Sequence, residues 1–419
     1  MTDTLKVLVW GSAEEGPCAF YRGYMYDEPL KALGIEQRHI QKLDFIVDPA
    51  YKGREAEAMR LGKIELDKAP IEWADIVVFR RYYNTSLKCG LWTGPENAGC
   101  GYTTRDENDA AAHEHGYKRQ DDITRAIWPL FRDTWTGGVI YETDDDHRNI
   151  RSWNGYYKDV VAERDLIAEM TRRADLVTVA TPALAKQYGR YNKNIRVIRN
   201  SLVPEMYVKD TSRPEGDLPR LVYYGSTARL RDYAGFYVTR DKKADGPGYA
   251  YQAVEAHKHL LRRVFLGTNE GSEEVIRHFF DEQTPYIVGI AAFAKALANA
   301  HGDIGIAPLG GDDFDRSKSE LHWLEYALSD MAFIGQRFNG DGPYQVVRDG
   351  VDGLLARGAQ EWHDAVGRLA KSKDLREQLA GAAKERVLRE YDYRQRAEEW
   401  AAAYRWAAEN ARGALASAA

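Results

Sequence analysis

Between Asp303 and Ala327 the chain places a cation and a carboxylate seven residues apart behind a short apolar run. Ile304, Ile306 and Ala307 form that run, and Pro308 and Gly310 end it, the pattern of a strand inside a parallel sheet. A Gly/Asp-rich loop follows, in which Asp313 is a candidate for substrate contact, and then Ser317-Lys318-Ser319-Glu320-Leu321-His322-Trp323-Leu324-Glu325. Ser317 and Glu320 have capping-box spacing. A helix is therefore predicted to start at Lys318, with free backbone N–H groups and the positive end of its dipole at the ligand. Such an end suits a phosphate. Lys318 and Glu325 fall within about 20° on one face and roughly 10.5 Å apart along the axis. Together they could grip the diphosphate and the ribose hydroxyls of one nucleotide.

Other polar clusters sit where strands end. Gly225-Ser226-Thr227-Ala228-Arg229 follows an apolar strand, and a backbone turn with a cation there can meet a diphosphate; the plainer reading is a surface arginine. Thr143-Asp144-Asp145-Asp146-His147 closes another strand. Three adjacent carboxylates at such an edge suit acceptor binding, a Mg or Mn site, or a solvated loop. Gly16, Pro17, Phe20, Tyr21 and Arg22 form a first loop whose aromatics could stack on a sugar and whose Arg22 could hold an anion, unless Tyr21 is simply core. Arg80, Arg81, Tyr82 and Tyr83 end the next strand on the same rim. Cys89, Cys100, His113 and His115 could ligate zinc in principle, but zinc sites favour short Cys-x2-4-Cys pairs and this gap is long.

The segment around Glu325 resembles the donor-site motif of retaining GT-B glycosyltransferases, a Glu, seven residues and a second Glu before an apolar strand. Glu325 matches the second Glu, and Ser317 stands where the first would be. Ala332-Phe333-Ile334-Gly335 and Asp349-Gly350-Val351-Asp352-Gly353-Leu354-Leu355 resemble the following strand and hairpin. Arg229 matches the family's arginine, with Ala234 where a lysine is usual, and Tyr21-Arg22 resembles its first-loop pair. The resemblance implies an α/β GT-B fold, two doubly wound Rossmann-like domains facing across a cleft. It implies a UDP- or GDP-sugar as cosubstrate with no permanently bound cofactor. Arg229, Lys318 and a helix end, rather than a metal, would neutralise the diphosphate, with Gly225, Ser226, Ser317 and Glu325 around the nucleotide. Asp144, Asp145 and Asp146 would serve the reacting centre, and Gly16, Tyr21, Arg22, Arg80 and Asp313 the acceptor side. Front-face substitution with retention would follow. Acceptors of similar enzymes are glycans, lipid carriers, proteins and, for phage-encoded members, modified DNA bases. A non-catalytic GT-B nucleotide or carbohydrate binder and a sugar-nucleotide epimerase are the other readings.

The elements that must position these residues fit two domains, since 419 residues exceed one ordinary core. Lys plus Arg total 58 against 64 Asp plus Glu, so no global basic footprint for nucleic acid exists. No apolar run is long enough to cross a bilayer, and the start enters a strand without a signal-peptide pattern, so a cytoplasmic protein is expected, in the host cytoplasm if phage-encoded. Three cysteines suit a reducing compartment. Strands are predicted at 6–10, 76–79, 139–142, 176–179 and 196–198, then at 221–225, 264–266, 286–288 and 304–307. These divide the chain into an acceptor-side domain over 1–200 with an irregular insertion near 83–120, a Pro-bearing linker at 201–220 and a nucleotide-sugar domain over 221–390. A helical end over 391–419 is expected to pack back on the first domain.

Overall fold

The computed structural model describes residues 4–11, 17–40, 45–52, 63–66, 69–80, 135–152, 157–162, 164–225, 229–235 and 248–418. Gly16, Arg81, Tyr82, Tyr83, Ser226, the insertion at 83–120 and the cysteine–histidine set within it lie outside these residues. Strands β1 (Leu5–Trp10), β2 (Ile35–Ile40), β5 (Ile76–Arg80), β6 (Gly138–Thr143), β7 (Leu176–Val179) and β8 (Ile195–Val197) form a parallel sheet ordered β2-β1-β5-β6-β7-β8. Between β2 and β5, β3 (Phe45–Val47) and β4 (Ile64–Leu66) pair as a separate antiparallel ribbon.

A second parallel sheet is ordered β11-β10-β9-β12-β13-β14. Its strands are β9 (Arg220–Tyr224), β10 (Arg262–Thr268), β11 (Glu282–Pro285), β12 (Ile304–Ala307), β13 (Ala332–Gln336) and β14 (Leu354–Ala356). Every residue of β5, β6, β9 and β12 is buried, as a strand covered on both faces requires. The edges differ. Among the described residues β11 pairs only with β10, so its polar Glu-Gln-Thr-Pro sequence is tolerated, whereas the apolar Tyr286 and Val288 lie beyond it, 56% and 65% exposed. The strand expected at 286–288 is thus corrected to 282–285. β2, also polar and at an edge, was not anticipated.

The helices that bear on the site are α1 (Pro17–Arg22), α2 (Asp27–Ala32), α3 (Pro182–Tyr188), α4 (Leu230–Ala234), α5 (Tyr249–Ala256), α6 (Asp313–Arg316), α7 (Leu321–Leu328), α8 (Gly358–Lys371), α9 (Lys373–Glu390) and α10 (Tyr393–Ala418). α10 lies against β6 and α2 of the first sheet. At Gly138 any Cβ would come within 2.9 Å of the Ala407 carbonyl oxygen, so the glycine is what lets helix and strand touch. Between α9 and α10 the chain crosses the Leu202 segment, where Leu202 N–H donates to Tyr391 O and Tyr393 N–H to Leu202 O. One apolar cluster is continuous through both sheets, from Val7, Val78 and Ile140 by way of Trp400 and Tyr404 to Trp323, Tyr326 and Phe333.

Candidate functional site

The helix expected at Lys318 begins at Leu321, with Glu320 as its N-cap. Ser317 has φ −81° and ψ −10°, a helical conformation, and is the C-cap of α6. An N-cap serine needs extended backbone to reach forward. Ser317 reaches back instead, its Oγ donating to Asp313 O at 3.0 Å and to Asp146 Oδ2 at 3.2 Å. Lys318 therefore sits in the turn between α6 and α7, not in a first helical turn.

From that turn Lys318 crosses to the first sheet. Its Nζ donates to Asp145 Oδ1 at 2.6 Å, and the same ammonium lies 4.0 Å from the centre of the Phe314 ring. Asp146, fully buried, also accepts from Arg148 N, Asn149 N and Asn149 Nδ2, which hold the loop beyond β6 in place. Thr181, the N-cap of α3, donates through Oγ1 to Ser317 O at 3.1 Å. Asp145, Asp146, Ser317 and Lys318 thus converge, although 171 residues separate Asp146 from Ser317. Asp144 is half-buried beside them, and Asp313 is exposed on the first turn of α6. Among the described residues no group of three or more His, Cys, Asp or Glu has the arrangement of a metal site.

Glu325 lies on α7, 2% exposed, inside a cage of tyrosines. Tyr21 of α1 donates to Oε1 at 2.7 Å, Tyr207 to Oε1 at 3.5 Å, and Tyr224 at the end of β9 to Oε2. Burial pushes its carboxyl up to about 7 while the tyrosine hydroxyls pull it down. The carboxyl is buried among these rings, so a ribose hydroxyl would reach Glu325 only if the cage rearranged. Beside the cage His322 stacks on Tyr224 at 4.5 Å, and burial and the charge of Arg229 lower its pKa to about 3, leaving a neutral ring.

A second charged knot was not read from the sequence. Arg151, from the loop after β6, reaches across to three aspartates of the second half. Its Nη1 bonds Asp232 Oδ1 at 3.2 Å, its Nε bonds Asp312 Oδ2 at 2.5 Å, and its Nη2 bonds Asp315. Asp315 is fully buried; burial and the neighbouring Asp232 raise its pKa to about 6 against the pull of Arg151. Arg229 joins through Asp232, 3.1 Å from Nη1, and its carbonyl accepts from Tyr223. Gly225, φ +146°, lets the Arg229 stem pass, because a Cβ there would lie 2.9 Å from Arg229 Cγ.

Arg22 and Arg80 are sunk rather than presented to a cleft. Both bond buried Glu142, Arg22 Nε at 2.7 Å and Arg80 Nε at 3.2 Å, and further donors go to the carbonyls of Ile198, Ala19 and Arg22. An anion contact is expected of Arg22 and a substrate contact of Arg80; the structure buries both guanidinium groups against the one carboxylate of Glu142. Tyr21 reaches the second half, through Glu325.

Residues 294–402, from within the helix before β12 to the middle of α10, match the model of a glycosyl transferase-like family. No curated protein sequence matches the chain. The whole fold is similar to that of sucrose-phosphate synthase from Thermosynechococcus elongatus, with a TM-score of 0.61 and 13% identity over 96% of this chain and 98% of that one. It is also similar to a glycosyltransferase from Rickettsia africae, with a TM-score of 0.54 and 12% identity over 97% and 99%. HepE of Anabaena, solved with UDP-glucose, gives 0.53 and 11% over 94% and 98%. The fold is GT-B, two Rossmann-like α/β halves.

Proposed function

We propose that the protein transfers a sugar from a nucleotide-sugar donor, a UDP- or GDP-sugar, to an acceptor hydroxyl, with retention at the anomeric carbon. The observation that carries this reading is the meeting of Lys318 and Ser317 with Asp145 and Asp146 between the two halves of a GT-B fold. The glycosyl transferase-like match over 294–402 includes this turn and Glu325, and the UDP-glucose bound by HepE supports the donor class. Lys318 and Arg229 would stabilise the departing diphosphate, Glu325 would hold the ribose once a tyrosine yields, and Asp144 to Asp146 would position the acceptor. In the step itself the acceptor oxygen bonds the anomeric carbon, the bond from that carbon to the diphosphate breaks, and the acceptor proton passes to the leaving oxygen.

A second reading, a GT-B protein that binds without transfer, is favoured by Ser317 in place of a carboxylate and by the burial of Glu325 among tyrosines. Mass spectrometry of candidate glycan, lipid, protein and nucleic-acid acceptors, incubated with nucleotide sugars chosen by thermal shift, separates the two. Sugar transfer or donor hydrolysis is expected. Nucleotide binding with no turnover for any donor would favour the binder. Transfer is expected to persist in excess chelator, because Lys318 and Arg229 supply the counter-charge. Loss with chelator and rescue by Mn or Mg would assign a metal to Asp144, Asp145 and Asp146.

A further inference from the structure

We propose that a cavity beyond the ends of β12 and β13 binds an anionic group, carboxylate or phosphate, carried by a saccharide; only the saccharide rests on the transferase reading. The cavity holds about 200 Å³ and is lined by Arg231, Arg316, Arg337, Arg357, Gly311 and Phe338, among others. Pockets for drug-sized ligands run to roughly 300–1,000 Å³, so this one suits a charged group and part of its sugar, not a whole nucleotide sugar. Lys318, Ser317 and Glu325 do not line it, which separates it from the candidate diphosphate site.

Part of its charge, that of Arg316 and Arg357, has no carboxylate partner among the described residues. Asp232 is the one carboxylate among the lining residues, and it already faces Arg151 and Arg229. Arg316 and Arg357 converge on Asn339: Arg316 Nη1 donates to the Asn339 and Asp341 carbonyls at 2.9 and 3.3 Å, and Arg357 Nη1 to Asn339 Oδ1. All these acceptors are neutral. Neither guanidinium has a carboxylate partner among the described residues, although a planar guanidinium is best matched by a carboxylate or phosphate. Arg337 is paired with Asp349 and borders the same space. The 14-residue helix α8 begins here at Gly358, φ +83°, but Glu361 in its first turn accepts from Arg357 N–H at 2.9 Å and meets the helix dipole, so the positive field comes from the Arg316 and Arg357 side chains. Phe338 carries the Arg316 guanidinium 5.0 Å from its ring centre, which fixes the cation at the wall.

The test is calorimetry and thermal shift on the full chain with inorganic phosphate and with glucuronate, chloride holding ionic strength constant. Both anions are expected to bind and raise Tm beyond chloride. Arg316→Gln with Arg357→Gln should weaken them roughly tenfold or more while leaving the UDP-induced shift intact. Tighter binding of UDP-glucuronate than of UDP-glucose by the wild type, and not by the double variant, identifies the anion as the donor's. Equal binding of the two nucleotide sugars, with phosphate and UDP bound together, assigns it to the acceptor. Should the double variant not fold, Arg357→Gln alone, at an exposed side chain, should still weaken both anions. Anion shifts no larger than chloride, or unchanged in a folded variant, overturn the proposal. Failure of UDP to bind while the anions do would count against the donor assignment and not against this cavity.

Discussion

Glu325 shows what one buried carboxyl does to the whole chain's response to pH. Its folded pKa of about 7 exceeds the ordinary 4.5, so between those values the native state holds a proton that the unfolded state has released. Stability contributed by this group is therefore present in acid and is lost as pH rises through about 7. The full span is on the order of 3 kcal/mol. Glu325→Gln should flatten that part of the stability profile in urea titrations between pH 4.5 and 8, and an unchanged slope would contradict the cage. At Lys318 the sign of a different effect separates two roles. Lys318→Ala is expected to weaken UDP binding by about 1.5–3 kcal/mol, as loss of a charge-assisted hydrogen bond would. Asp145→Asn, by freeing Lys318 from its 2.6 Å partner, should leave UDP affinity equal or higher while reducing transfer. Parallel loss of binding in both variants would place Lys318 and Asp145 in structure rather than in a site. The residue types at this turn were legible from sequence, but their partners were not. Asp145 is 173 residues from Lys318, and nothing local marks it as the partner. The Ser317–Glu320 spacing misled because the same spacing occurs where one helix ends and another begins, and backbone angle alone tells them apart.

At the scale of elements, legibility followed burial. β5, β6, β9 and β12 announce themselves because a strand covered on both faces is a largely apolar run ended by Gly, Pro or a charge, whereas β13 was read through the family resemblance. The strands β2 and β11, which end their sheets among the described residues, carry Glu, Gln, Arg and Thr, and their sequences read as loop. Arg151 was invisible for a related reason, being an arginine in a loop whose three partners come from two later segments, α4 and the start of α6. The terminal helix was legible as helix, and its load appears only in three dimensions. Trp400 is fully buried between Tyr26, whose ring lies 5.8 Å away, and the Arg22 guanidinium, 4.9 Å from the indole. Trp400→Ala should destabilise the protein by about 3–5 kcal/mol, because the helix, α2 and the strand ends cannot all collapse into the space vacated. Calorimetric unfolding checks this, and a Tm within a degree or two of wild type would mean that α10 is dispensable to the first sheet.

For the whole molecule, what fixes one GT-B half against the other is as much charge as apolar contact. The apolar cluster through Trp323 and Trp400 is continuous, but at the rim where Asp145 meets Lys318 the halves are also tied by Arg151 to Asp232, Asp312 and Asp315. Such a tie is poor as net stabilisation and strong as a constraint, because removing the cation strands the buried carboxylates of Asp232 and Asp315. Arg151→Met should therefore cost about 3–5 kcal/mol near pH 8. The pH dependence is the informative part. Asp315 has a folded pKa of about 6 against an ordinary 3.8, so its ionisation already opposes the native state above that range. Without Arg151 its pKa rises further, the penalty at pH 8 grows, and it fades as the carboxyl takes up a proton in acid. The gap between wild type and Arg151→Met should thus narrow between pH 8 and pH 5, and Asp315→Asn in the same chain should recover part of the loss at pH 8. Denaturant titrations at the two pH values decide it. A constant gap, with no recovery from Asp315→Asn, would mean that Arg151 acts through packing on Phe314, 5.9 Å from its guanidinium, and not through its charge.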